Sequence, residues 1–294
     1  MKTHETRISL YATIAVALGI FLFVGCSDNK TTAPVTTVPT VEGDITEIVV
    51  TGIAADDGGA LDQFIDISAL ADGNDSLSVA KVAVDGGTVV REYDSLTAQW
   101  QVQLTRQRGD SGGPFYAQVS RTYRYQYRNK DGVPQARWLV GADTAYSMGF
   151  SIMEGDGECR TLRFSHRLTA LNGEFEVTGV NTDTLTINGS YSRSGVDTLK
   201  TFQSRRMIEH QLTLQFSNVR CLRGNPVDFC NRVSGEVSGQ YAATVTFMSG
   251  FAYGETNITR NMNIIMGEGR AIVAIGDKIF EGDLATGELT EDGN

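Results

Sequence analysis

The stretch "FYAQVSRTYRYQY", residues 115–127, decides the fold class of this chain. In an extended backbone, successive side chains point to opposite faces of a sheet. One face of this stretch would carry Tyr123, Tyr125 and Tyr127. The opposite face would carry polar side chains such as Arg124. This alternation is typical of an antiparallel strand with one buried and one solvated face, and we predict such a strand here.

The same alternation recurs along most of the chain. It is present between residues 97 and 275 in "TAQWQVQLTR", "RTLRFSHRLTAL", "EFEVTGV", "DTLTINGSYS", "RMIEHQLTLQFSN", "EVSGQYAATVTF", "NITRNMNIIM" and "RAIVAI". Turn-forming sequences such as "KDGVP" and "RSGVD" separate these segments. The one helix candidate is "GGALDQFIDISALAD", residues 58–72. We therefore predict an all-β fold, an antiparallel meander that forms either a two-sheet sandwich or a barrel-like curled sheet.

The N-terminus has the pattern of an export signal. Lys2 and Arg7 precede the run "ISLYATIAVALGIFLFV", residues 8–24, which carries no charge. A basic segment followed by an apolar one is typical of a signal peptide. The end of this run, "LFVGC" at residues 22–26, resembles the lipobox of bacterial lipoprotein signals. The resemblance implies cleavage before Cys26 and acylation of that residue, with palmitate among the fatty acids.

This resemblance divides the chain into three parts. Residues 1–25 would be the signal peptide, residues 26–43 the lipidated Cys with a Thr/Pro-rich tether, and residues 44–294 a single β-domain. The alternative is an uncleaved membrane anchor, for which 17 apolar residues lie at the short limit. Both alternatives place the domain outside the cytoplasm. We expect a lipid-anchored protein of the bacterial cell envelope, with the outer membrane as the preferred location.

The charge balance argues against nucleic acid as a partner. The chain has 35 acidic and 25 basic residues, for a net charge of −10. Binding to a phosphate backbone needs clustered Lys and Arg. We therefore expect the membrane and an envelope protein, glycan or lipid as partners.

Two cysteines near the C-terminal third are candidates for a disulfide. Cys221 and Cys230 bracket "LRGNPVDF", which contains a Gly-Asn-Pro turn. An exported domain meets an oxidising compartment, so we predict that they pair. Closing so short a loop would stabilise the fold by about 2.7 kcal/mol. Cys159 remains, and we expect it to be buried and inert.

The sequence "GDSGGP", residues 109–114, resembles the motif around the nucleophilic serine of chymotrypsin-like proteases. In that family the activating His and Asp precede the serine. Here His166 and His210 both follow Ser111, and His4 lies in the signal segment. We interpret the motif as a hairpin turn and expect no catalytic residues.

Other side chains have two possible roles. His166 and His210 lie on the apolar face of their predicted strands, where they could bind a metal with Cys159 or serve as core histidines. No ligand spacing such as CxxC or HxxxH is present, so we expect core histidines and no metal or cofactor. The tyrosines of residues 123–127 could stack on a sugar or a partner if exposed, and we expect them in the core instead.

These observations favour a non-enzymatic, lipid-anchored envelope protein whose β-domain binds a partner or supports structure. The alternative is a carrier of a lipid or other apolar ligand inside a curled sheet, which needs an unfilled apolar interior. A hydrolase is less favoured, because Ser111 is its one candidate residue.

Overall fold

The computed structural model describes residues 41–55, 58–73, 86–162, 164–200, 204–224 and 228–290. Cys26 and the signal segment lie outside the described residues. The described part consists of two helices followed by a long series of strands. These elements are α1 Val41–Ile53, α2 Ala60–Ala71, β1 Gly86–Asp94, β2 Gln99–Gly109, β3 Tyr116–Arg128, β4 Pro134–Gln135, β5 Leu139–Val140, β6 Asp143–Thr144, β7 Ser147–Arg160, β8 Phe164–Thr178, β9 Thr184–Lys200, β10 Ser204–Leu222, a short 3-10 helix Cys230–Arg232, β11 Val233–Ser249, β12 Ala252–Gly267, β13 Arg270–Ile275, β14 Lys278–Asp283 and β15 Leu289–Thr290.

The strands form one large antiparallel sheet. Its order is β1-β2-β3-β7-β8-β9-β10-β11-β12-β13-β14-β15, with β4 also paired to β3, while β5 and β6 form a separate hairpin. Each strand of the main path therefore pairs with its neighbours along the chain, apart from the excursion between β3 and β7. The predicted all-β antiparallel meander is confirmed. Of the two predicted arrangements, the structure has the single curled sheet, which stays open because β1 and β15 end the order.

Alternation along each strand puts the apolar side chains on one face of the sheet. In β10, for example, Leu212, Leu214 and Phe216 are buried, whereas the residues between them are exposed. Period-two alternation of this kind produces a sheet with one core face. Helices α1 and α2 pack against this face, and their buried residues belong to the same hydrophobic core as those of the strands.

Helix α2 lies where the sequence predicts a helix. Its fully buried Phe64 makes edge-on contacts with the ring of Phe175, 5.4 Å away, and the ring of Phe216, 5.0 Å away. Edge-on aromatic pairs at these distances are favourable beyond the area they bury. Phe64 therefore joins the helix to β8 and β10 at the centre of the core.

A buried ionic network fixes α2 against β2 and β3. Asp62 and Asp66 lie one turn apart on α2 and face the sheet. The fully buried Arg121 forms an ion pair with Asp62 and donates a hydrogen bond to the carbonyl of Gly58 at 3.0 Å. The Tyr123 hydroxyl donates to Asp66 at 3.1 Å. Buried charges persist only when they are paired and hydrogen-bonded, and this network meets that condition.

Helix α1 differs from the sequence prediction. It begins at Val41, so residues 41–43, which the sequence assigns to the tether, are helical. The segment is rich in Ile, Val and Thr, which have low helix propensity. Packing overrides this propensity, because α1 contacts β13 and β14 and its residue Val50 lies against Gly282. A Cβ at position 282 would lie 2.5 Å from Val50 Cγ1, so the contact needs glycine there.

Truncation of the central aromatic residue tests the packing of α2. We expect Phe64→Ala to lower the free energy of unfolding by about 3–5 kcal/mol, because it leaves a cavity between Phe175 and Phe216. Urea denaturation followed by circular dichroism measures this change. Phe251→Ala is the matched control, since Phe251 is fully exposed, and it should change stability by no more than about 0.5 kcal/mol. Equal effects of the two substitutions would contradict the assigned packing.

Candidate functional site

Three titratable side chains meet on the core face of neighbouring strands. His166 on β8 is the register partner of Asp197 on β9, and His210 lies on β10 beside Gly195 of β9. Asp197 was not a candidate from the sequence. It lies 31 residues from His166 along the chain, and only the pairing of β8 with β9 brings the two together.

The Asp197 carboxylate lies between the two imidazoles. His166 Nδ1 is 2.6 Å from Asp197 Oδ1, and His210 Nδ1 is 3.3 Å from Oδ2 without hydrogen-bond geometry. The two imidazole rings stack at 6.0 Å, and His210 stacks on Tyr241 at the same distance. Gly195 allows this arrangement, because a Cβ there would lie 3.0 Å from His166 Cε1 and 3.2 Å from His210 Cε1.

Arg193 fixes the protonation state of His166. Its Nη2 lies 3.2 Å from His166 Nε2. A guanidinium can only donate, so His166 accepts at Nε2 and carries its proton on Nδ1, from which it donates to Asp197. Burial lowers the pKa of His166 below its usual 6.5, against the opposing pull of the Asp197 carboxylate. Burial alone would raise the pKa of Asp197, but the contacts with His166 and His210 outweigh it and hold that pKa well below 3.8.

This cluster does not have the geometry of a metal centre. The Nδ1 atoms of both histidines face the same carboxylate, and Nε2 of His166 faces the Arg193 cation. Within the part of the chain that the structure describes, no group of three His, Cys, Asp or Glu side chains is arranged to hold a metal. Cys159 is buried on β7 as the register partner of His166. The hydrogen bonds of the cluster therefore link β8 to β9 inside the domain.

The protease-like motif forms a turn, as the sequence predicts. Ser111 lies between β2 and β3, where Asp110 accepts a hydrogen bond from the amide of Gly112 at 3.0 Å. The Ser111 carbonyl accepts from the side chain of Arg160. An Asp that bonds the backbone two residues ahead is typical of a tight turn.

The predicted disulfide between Cys221 and Cys230 is not formed in this structure, so this prediction is wrong. Neither residue is part of a disulfide. Cys221 points into the core, where burial raises the pKa of its thiol to about 12. The Cys230 thiol lies on the short 3-10 helix and donates to the carbonyl of Leu284 at 3.6 Å. Since disulfide formation requires a thiolate, the environment of Cys221 opposes the reaction.

The tyrosines of β3 lie in the core, as predicted. Tyr123, Tyr125 and Tyr127 are all at most 2% exposed. The hydroxyl of Tyr127 donates to the carbonyl of Leu70 on α2 at 2.7 Å. These rings therefore serve packing and hold α2, and they are not available for stacking on a ligand.

An exposed surface at one end of the sheet was not predicted from the sequence. It lies where β9 ends, β10 begins and the β11–β12 hairpin turns. We call this surface the rim, and it consists of Leu199, Lys200, Arg205, Arg206, Phe247, Met248, Phe251 and Tyr253. Of its aromatic and sulfur-containing side chains, Phe251 is fully exposed, and Phe247, Met248 and Tyr253 are 39–65% exposed. Large apolar side chains gathered in one exposed place are typical of binding surfaces.

The pairing of the strands arranges the rim in two rows. On the core side, Arg206 lies between Leu199 and Phe247. The second row is on the outer side and consists of Lys200, Arg205, Met248 and Tyr253, which are successive register partners. Gly250 and Phe251 form the turn that closes the hairpin. Apolar side chains therefore project from both faces and from the tip of this hairpin.

The rim is basic in an acidic chain. Residues 198–208 contain three basic residues and no Asp or Glu, and residues 245–254 contain no charged residue. The neighbouring Glu255 accepts a hydrogen bond from the Tyr253 hydroxyl at 2.6 Å. The rim thus combines apolar side chains with a local positive charge, whereas the whole chain carries −10.

Acidification tests the state assigned to His166. Because the folded pKa lies below 6.5, the unfolded chain binds this proton first as the pH falls, and stability falls with it. We expect a loss between about pH 7 and about pH 5 of at most about 1.4 kcal/mol per pH unit from this group. Asp197 should add a further loss only below about pH 4. Urea denaturation at a series of pH values measures both effects.

The variant His166→Gln isolates this contribution. A glutamine amide can donate to Asp197 and accept from Arg193 but does not titrate. The variant should therefore keep the fold and show a flatter dependence of stability on pH between about pH 7 and about pH 5. An unchanged slope would show that His166 does not carry the effect.

Among the residues that the structure describes, no helix is long and apolar enough to cross a membrane. Comparison with known proteins gives no match to this chain: no protein-family model, no curated protein and no solved structure is similar to it.

Proposed function

We propose that this chain is a non-enzymatic, lipid-anchored protein of the bacterial cell envelope whose β-domain binds a partner through the rim. The observation that carries the proposal is the rim itself, an exposed set of apolar and basic side chains at one end of the sheet. Burial in the core explains the tyrosines of β3, but it does not explain the exposed Phe251 and Tyr253 of the β11–β12 hairpin.

The envelope location is supported by the lipobox-like sequence that ends at Cys26. A single fatty acid holds a protein at a membrane only marginally, whereas two or more hold it stably. Lipoprotein acylation supplies several chains, so the domain would stay close to a bilayer. A binding surface on such a domain meets partners that are part of the envelope.

The polar groups of the domain favour binding over catalysis. The buried carboxylates Asp62 and Asp197 both have partners, an ion pair with Arg121 for Asp62 and a hydrogen bond from the neutral His166 for Asp197. A general base must be able to take a proton from a substrate. His166 directs Nδ1 to Asp197 and Nε2 to Arg193, which leaves neither nitrogen for that role.

The carrier alternative is less well supported. A carried apolar ligand needs an unfilled interior lined by apolar side chains. Helices α1 and α2 pack against the core face of the sheet, and Phe64 lies at the centre of that contact. Where they pack against the sheet, these elements occupy the space in which such a ligand would lie.

Metabolic labelling tests the lipid anchor. Labelled palmitate added to growing bacteria should enter the wild-type protein and should not enter the Cys26→Ser variant. Cys230→Ser is the control, since Cys230 is a partly buried thiol of the folded domain, and it should keep the label. Label retained in Cys26→Ser would disprove acylation at this residue.

Photo-crosslinking in living cells tests the rim. A photoreactive phenylalanine analogue at position 251 should give an adduct in the cell envelope. The same analogue at position 96 is the matched control, because Leu96 is 95% exposed in the turn between β1 and β2. The strand pairings place that turn at the opposite end of the sheet. We expect at least a tenfold difference in adduct yield, and equal or absent adducts would contradict a binding role for the rim.

A further inference from the structure

We infer that the rim docks on an anionic lipid surface, that of the membrane to which Cys26 anchors the chain. This inference rests on the proposed function, because it names the partner of the same surface. Three properties of the rim support it, namely the distribution of its apolar side chains, the position of its basic residues and its separation from the anchor.

The apolar side chains of the rim point in several directions, which suits insertion into a medium that surrounds the hairpin. Phe247 projects from the core side of the β11–β12 hairpin, Met248 and Tyr253 from the outer side, and Phe251 from the tip. A flat protein surface could contact one of these faces and would leave the other in water. Insertion of the hairpin tip into a lipid interface removes all of them from water at once. The gain in stability from such insertion follows the apolar area that leaves water.

The type of aromatic residue also suits a membrane interface. Tyr and Trp lie preferentially at the boundary between hydrocarbon and headgroups, because their rings are apolar and their polar ends stay hydrated. Tyr253 has this character, and its hydroxyl is bonded to Glu255 on the side away from the tip. Phe251, which has no polar atom in its side chain, lies at the tip and would enter deepest.

The basic residues lie at the height expected for headgroup contacts. Lys200 and Arg205 are register partners, and Arg206 is the next residue along β10. Arg205 and Arg206 pair with Met248 and Phe247, so the cations lie beside the apolar residues that are nearest to the tip. A phosphate-bearing headgroup layer above inserted apolar side chains meets cations in this position.

Charge would also orient the domain. The chain carries −10 overall, so an anionic membrane repels most of its surface. The rim is the exception, with three basic residues and no acidic ones in residues 198–208. An anionic bilayer would therefore attract this end of the sheet and repel the remainder.

The anchor leaves enough chain for this orientation. Residues 27–40, which are 14 in number, separate Cys26 from the start of α1. A Pro-containing chain of this length can extend to about 45 Å at roughly 3.1 Å per residue. The lipid would hold the domain near the bilayer, and the rim would make a second contact with the same surface. Two linked contacts bind far more strongly than either alone.

Quenching by brominated lipid measures insertion of the tip. The full-length protein with Phe251→Trp is reconstituted into vesicles that contain brominated phosphatidylcholine, with or without phosphatidylglycerol. The emission of the added tryptophan, taken as the difference from wild type, should be quenched in vesicles with phosphatidylglycerol. High salt should reverse the effect, because it screens the attraction of the basic residues.

Two variants serve as controls. Leu96→Trp places the probe at the opposite end of the sheet, and its emission should not be quenched if the rim rather than the anchor decides the orientation. Replacing Lys200, Arg205 and Arg206 together by Gln removes the basic residues. Each cation near an anionic surface favours binding about fivefold, so the triple variant should lower the ratio of inserted to free rim roughly 100-fold.

The outcomes separate this inference from the proposed function. Quenching at position 251 that needs phosphatidylglycerol and the three cations supports it. Equal quenching at positions 251 and 96, or quenching that is independent of lipid charge, overturns it. Absence of quenching together with a protein adduct at position 251 in cells overturns the membrane inference and leaves the rim as a protein-binding surface. Absence of both overturns the inference and the proposed function together.

Discussion

The structure depends on one constraint, which is that an open sheet, unlike a closed barrel, needs elements outside the sheet to cover its apolar face. A sandwich meets this need with a second sheet. Here the cover consists of α1 and α2, and the sheet curls around them. The buried pair of Asp62 and Arg121 shows how specific this cover is, because a charged residue of α2 must lie opposite its partner on β3. A rotation of α2 that turned Asp62 away from β3 would leave the buried Arg121 guanidinium without its carboxylate.

The lengths of the helices and strands explain why different parts of the core face carry different kinds of residue. Helix α2 has 12 residues and is about 18 Å long, whereas β10 has 19 residues and can extend to about 60 Å. Helices of this length cannot cover the whole face. Where they lie against it, the core is aromatic and aliphatic apart from the ionic network around Arg121. Farther along the strands, the face carries the cluster of His166, Asp197 and His210, and the strands end at the rim.

Part of this architecture could be predicted from the sequence, because its signals are local. Alternation identifies the strands, and apolar spacing identifies α2. Helix α1 was missed because the Ile and Val residues that make it pack also make it resemble a strand. Asp197 was missed because a contact across the β8–β9 register is not visible in sequence spacing. The predicted bond between Cys221 and Cys230 used proximity along the chain, which does not determine where two sulfur atoms point.

Unlike α1 and Asp197, the rim can be recognised in the sequence, because the alternation of polar and apolar residues is broken there. Strict alternation through β11 would put a polar side chain at position 248 and its partner 253, and the chain has Met248 and Tyr253 there. Apolar residues on both faces of a strand cannot all face one core, so at least one face must contact something else. Departures from a pattern that is otherwise consistent are expected at functional sites. The same alternation that builds the sheet therefore marks the place where folding no longer explains the sequence, and it is there that we propose the binding surface.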